Sequence, residues 1–165
     1  MSEQELVAAH TVDTEFLVRR SMTKGYQLFS LLTPPIYVAS TLFRRGRGHI
    51  TVNRFLRATW LGGAAGIASG GAFEYVRSAN SSAETLRTRT IRATYDTSSL
   101  RADDHATIGA LLFAVVIPAI FWKRGTSFNL ILGGAGIGSA AGLLTHFGKA
   151  ISGDAPPKSE VQDSH

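Results

Sequence analysis

Two kinds of residue in this 165-residue chain could do more than fill space. The first is a pair of glycine ladders. Gly62, Gly66 and Gly70 recur every four residues, and so do Gly134, Gly138 and Gly142. On a helix this spacing bares one strip of backbone. A second helix can then approach closely and gain dispersion contacts and weak Cα–H hydrogen bonds. Two ladders in one small protein are expected to pack their two helices tightly together, and a docking face for another subunit fits the pattern as well as internal packing does. The second kind is ionisable. One further step of four beyond each ladder stands a polar side chain, Glu74 after Gly70 and His146 after Gly142. An ionisable group in an apolar run is a functional candidate, so these two are predicted to pair where the ladder helices cross. Proton transfer is the chemistry such a pair could do. Both residues fall near a helix end, so a structural role or snorkelling to the interface is the favoured use.

Other constellations fail on context. Gly133-Gly134-Ala135-Gly136-Ile137-Gly138 looks like a nucleotide loop but lacks the preceding strand and βαβ setting. His10, His49, His105, His146 and His165 do not fall at metal-ligand spacing on one helix. Cysteine is absent, which excludes disulfides, thiolate metal sites and cysteine nucleophiles. Asp103-Asp104-His105 could serve acid–base chemistry, but such a run more often opens a helix, where carboxylates face the positive end of the dipole. No catalytic residue, metal site or cofactor site is assigned.

The elements that must hold these residues are four charge-poor stretches: 25–43, 58–76, 106–122 and 127–147. Glu74 is the only charge in any of them. At ~1.5 Å per residue each covers most of a hydrocarbon core of roughly 30 Å. The mean hydropathy is only slightly positive because charges are concentrated between these runs. Tyr26, Phe43, Trp60, Tyr75, Trp122, Phe128 and Phe147 sit near the ends, where aromatic rings favour the interface. The fold class is therefore an all-α membrane protein: four transmembrane helices as two hairpins, with Gly-rich second and fourth helices. Residues 1–24 are an N-terminal segment, 25–151 the membrane domain, and 152–165 a disordered tail. Pro34-Pro35 should bend or break the first span, and Pro118 the third. Residues 83–101 predict a surface helix followed by a turn, with Asp103-Asp104 leading into the third span. Leu61-Gly62-Gly63-Ala64 and Leu132-Gly133-Gly134-Ala135 open the second and fourth spans alike, which suggests a repeated hairpin inserted twice in one orientation.

Charge sets the orientation. Arg44, Arg45, Arg47, Arg54, Arg57, Lys123 and Arg124 fall in the two loops that share one side, giving it +7, while the other side sums to −1. By the positive-inside rule the +7 side is a bacterial cytoplasm or a mitochondrial matrix, with both termini opposite. The basic loops are expected to contact anionic headgroups such as cardiolipin rather than nucleic acid. The first 24 residues carry Glu3, Glu5, Asp13 and Glu15, so they read as no cleavable targeting peptide.

Residues 87–147 add a resemblance. Arg87-Thr88-Arg89 with Arg92, Asp103-Asp104 ahead of the third span, Pro118, Trp122-Lys123-Arg124 and the glycine ladder within 133–142 ending in Thr145-His146 carry it. In these features the chain resembles the small accessory membrane subunits of mitochondrial respiratory complex I found in fungi, the NUXM-like family. The match covers a little over a third of the chain. It implies a non-catalytic subunit of the inner membrane without redox cofactors. Such a subunit supports assembly and stability of the membrane arm, with lipids and other membrane-arm subunits as partners and no small-molecule substrate. Both termini would lie in the intermembrane space.

Four spans with glycine ladders are also similar to the channel-forming subunits of inner-membrane protein translocases. That family places an Arg, three residues and then an Asp before its Gly-rich helix, whereas Asp103 and Asp104 follow Arg101 too closely. A small membrane transporter is a further alternative. It needs a polar site near the bilayer midplane, and Glu74 and His146 lie near helix ends.

Overall fold

The computed structural model describes residues 3–153. They form five α-helices and one short 3-10 turn, with no strand among the described residues. The helices are α1 (Glu3–Arg45), α2 (Val52–Ala79), α3 (Ala83–Thr94), α4 (Thr97–Phe121) and α5 (Ser127–Ile151). α1 pairs with α2 and α4 with α5, so the chain is two helical hairpins. The hairpins join mainly through α5, which lies against both α2 and α1. The short α3 packs on α1 near Asp13.

Local chemistry explains most helix boundaries. Thr51 caps α2 by accepting the Arg54 N–H, and Ser82 caps α3 by accepting the Thr85 N–H. Gly46, at φ +77°, makes the turn between α1 and α2 that a side chain would strain. The surface helix expected within 83–101 is present, and its turn is the short Tyr95-Asp96 link.

Three expectations need correction. The N-terminal segment is not separate from the first span, because α1 runs unbroken from Glu3 to Arg45. At ~1.5 Å per residue that helix is about 65 Å long, twice a hydrocarbon core. The Pro34-Pro35 pair does not end it. Packing on both sides holds the helix together: Ser30 and Thr33 lie against Gly63 and Gly62 before the prolines, and Tyr37 meets Phe55 edge-on at 6.2 Å after them. Nor do Asp103-Asp104 start the third helix. Asp96 does, accepting the Ser99 N–H at 3.0 Å, so the two later acids fall inside α4. The tail expected over 152–165 lies outside the described residues beyond Gly153.

Two helices, α4 and α5, are long and apolar enough to cross a membrane. The apolar window of α4 has a mean hydropathy of 1.8 and only 6% of it is buried, so its Ile108, Leu111, Leu112, Val115 and Ile120 face outward. The expected four spans are thus supported at two positions. α1 is diluted by Gln27, Ser30, Thr33 and the prolines, and α2 by its glycines and serine.

Candidate functional site: glycine crossings and a polar end

Each glycine ladder is used inside its own hairpin. A methyl group on Gly66 would strike the Gly25 carbonyl of α1, and one on Gly25 would strike the Gly66 carbonyl. Gly62 lies against Thr33, and Gly70 against the Ser21 carbonyl. Ser21 Oγ donates to the Gly70 carbonyl at 2.9 Å, a bond available only because the backbones are this close. The second hairpin repeats the device. Gly138 and Gly109 exclude side chains from each other, Gly142 lies against the His105 carbonyl, and Gly134 against the Phe113 carbonyl. The expectation that the two ladders would pack their helices on each other is therefore corrected. The contacting carbonyls lie on α1 and α4, not on the opposite ladder.

The hairpins are structural copies. Ser21 and His105, Gly25 and Gly109, Phe29 and Phe113, and Thr33 and Ile117 hold matching places against the ladders, at one constant separation along the chain. Pro34 and Pro118 fall in the same register. The repeat is offset by one residue from its first reading: Gly62 corresponds to Gly134, not to Gly133.

That offset frees a second strip on α5. Gly133 lies against Leu56 and Gly136 against Thr59, so α5 meets α2 through a different face, with the two helices running parallel. At the start of this contact a polar chain ties the hairpins. Trp60 Nε1 donates to Asn129 Oδ1 at 2.9 Å, and Asn129 Nδ2 donates to Asn53 Oδ1 at 2.8 Å. Asn53 Oδ1 also accepts the Thr126 N–H at 3.2 Å, which satisfies an orphan donor at the start of α5 from the other hairpin.

The opposite end of the bundle carries the ionisable groups. Glu74 is buried and is bound by Arg89 of α3, with Ser78 Oγ donating to it at 3.1 Å. His146 is also buried but faces His105, ring centroids 5.7 Å apart, and Phe147. The predicted Glu74–His146 pair is not formed, because each ladder points to its own hairpin and carries its terminal residue with it. The relevant partners were missed in the sequence. Lys24 Nζ and Gln27 Nε2 donate to Asp103 Oδ1 at 2.7 and 2.6 Å, linking α1 to α4. Arg87 reaches the buried Asp13 at 3.4 Å, holding α3 on α1.

Comparison with known protein families, curated proteins and solved structures finds no match.

At the +7 end Arg44, Arg54, Arg57, Lys123 and Arg124 are exposed and make no ion pair among the described residues. Arg45 ends α1 and Arg47 opens the 3-10 turn beside them. Among the described residues no group of three His, Asp or Glu is placed to hold a metal ion. The polar side chains brought together make links between helices: Asn to Asn, Lys to Asp, Arg to Glu. The arrangement is suited to holding helices at fixed spacing.

Proposed function

We propose that this protein is a non-catalytic accessory subunit of mitochondrial NADH:ubiquinone oxidoreductase, supporting assembly and stability of the membrane arm. It resides in the inner membrane as a four-span protein, with α1 and α2 crossing beside α4 and α5 and both termini in the intermembrane space. The observation that carries the mechanical part is the pair of reciprocal glycine crossings, Gly25 with Gly66 and Gly109 with Gly138. They close both hairpins without using the outward apolar face of α4, which is left for lipid and for neighbouring subunits. Small-residue crossings are the means by which helices associate in lipid, where no hydrophobic drive operates between them. Assignment to complex I rests on the resemblance of residues 87–147, from the Arg87–Arg92 stretch to Thr145-His146. The exposed Arg44, Arg54, Arg57, Lys123 and Arg124, with Arg45 and Arg47 beside them, face the matrix and hold anionic headgroups such as cardiolipin. No cofactor or small-molecule substrate belongs to this reading.

α1 and α2 are weakly apolar by themselves, and Gln27, Ser30 and Thr59 are buried between helices rather than presented to lipid. Their insertion therefore depends on the neighbouring hairpin. A C-terminally tagged chain in mitochondria extracted with mild detergent tests the assignment. On a native gel it should comigrate at high mass with NADH dehydrogenase activity. Comigration with import substrates, or a small free complex, overturns the assignment.

A further inference from the structure

On the side whose charges sum to −1, the structure gathers a local excess of cations. A cleft of about 420 Å³ between α1, α2 and α3 is lined by Arg20, Lys24, Arg77, Arg89 and Arg92. Two acids also line it, and both are engaged. Glu74 is bound by Arg89 and Ser78, and Asp96 caps α4 and lies 3.7 Å from Arg20. Lys24 is held by Asp103. The remainder is positive. Arg77 and Arg92 are exposed and make no ion pair among the described residues. Arg89 also lines the cleft, with one terminal nitrogen held on Glu74.

Exposed guanidinium groups without a carboxylate partner match the oxygens of a phosphate. The depth is informative too. Arg77 lies in the last turn of α2, just beyond the charge-poor run, with exposed Phe73, Tyr75 and Val76 beside it. This is where a phosphate would sit if its acyl chains lay along α2. We infer that the cleft binds a phosphate ester, with Arg77 and Arg92 as its donors and Arg89, held on Glu74, beside them. The lipid placement rests on the four-span reading proposed above, but not on the complex the chain serves, and the site is distinct from the basic loops at the opposite end.

The test uses the full chain in phosphatidylcholine nanodiscs containing a photoactivatable phosphatidylglycerol, with labelled peptides mapped by mass spectrometry. Labelling is expected near the cleft, on the segment joining α2 to α3. Arg77→Gln/Arg92→Gln should cut it about tenfold, the effect of losing charge-assisted contacts. Helical circular dichroism should not change, because neither side chain is engaged in the fold. Arg54→Gln/Arg57→Gln, at the other end, should leave this label intact, which separates the cleft from the loop contacts proposed above. Labelling that survives added inorganic phosphate assigns the site to a lipid headgroup. Labelling that phosphate abolishes, with direct phosphate binding to the wild type, assigns it to a soluble phosphate. Equal labelling of wild type and Arg77→Gln/Arg92→Gln, or label confined to the opposite loops, overturns the inference.

Discussion

Adding one methyl group at Gly138 should open the second hairpin. Two effects oppose each other in Gly138→Ala. Within a helix, alanine in place of glycine gains about 0.5–1 kcal/mol from reduced backbone freedom. Against this, the new Cβ would collide with the Gly109 carbonyl and the Phe113 Cβ. The first of these is backbone, so it cannot rotate away. Relief requires the helices to separate, which weakens the packing at Gly134 and Gly142 along the same strip. Overpacking of this kind costs about 1–3 kcal/mol, occasionally more, and each weak Cα–H hydrogen bond that breaks adds roughly 0.5–1 kcal/mol. The overpacking outweighs the helix gain, leaving a net loss of about 1–2 kcal/mol. Gly148→Ala is the matched control, since nothing lies within 4 Å of a methyl there. It should gain stability by up to about 1 kcal/mol. Both variants can be measured by denaturant titration in micelles, following helical circular dichroism. If Gly138→Ala is as stable as Gly148→Ala, the reciprocal crossing is not what closes the hairpin.

Other outcomes follow from the same geometry. Asp103→Ala strands the buried Gln27 and the half-exposed Lys24 and should cost about 2–4 kcal/mol, whereas exposed Asp104→Ala should stay within roughly 0.5 kcal/mol; the same titration compares them. A double-mutant cycle of Glu74→Gln with Arg89→Gln should return a coupling of about 1–3 kcal/mol, while Glu74→Gln with His146→Gln should be additive within about 0.5 kcal/mol. Asn129→Ala removes a donor and an acceptor from the chain joining Trp60 to Asn53 and should lower stability by about 1–3 kcal/mol; Trp60 fluorescence should shift as its indole N–H loses its acceptor.

The sequence made the hairpins legible because glycine spacing and charge-free length are local properties. The second and fourth expected spans lie within α2 and α5, and the cap at Ser82 opens the expected surface helix. A ladder states that some backbone will come close, but it does not say whose. Gly109 on α4 and Gly25 on α1 were the partners, and each is a lone glycine in its helix with no spacing of its own to mark it. Pairing Glu74 with His146 assumed that ladders meet ladders, and it failed with that assumption. The starts of α1 and α4 were misplaced for another reason. The start of the charge-free run at Gly25 and the acids at 103–104 read as segment boundaries, yet Asp13 and Asp103 are held by Arg87 and Lys24 from distant helices. Such cross-chain pairs have no local signature. The cleft lined by Arg77 and Arg92 was hidden similarly, because charge summed over one side averages a cluster away.

The central claim is that both hairpins cross the membrane. The chain contains no cysteine, so single cysteines can be introduced at Gly48, Ser81 and Lys123, in the links after α1, α2 and α4. Labelling by a membrane-impermeant maleimide in mitoplasts, with and without lysis, reports their sides. With both hairpins spanning, positions 48 and 123 are protected together and position 81 is exposed. If position 48 instead shares its side with position 81, opposite position 123, only α4 and α5 cross, and the four-span topology is contradicted.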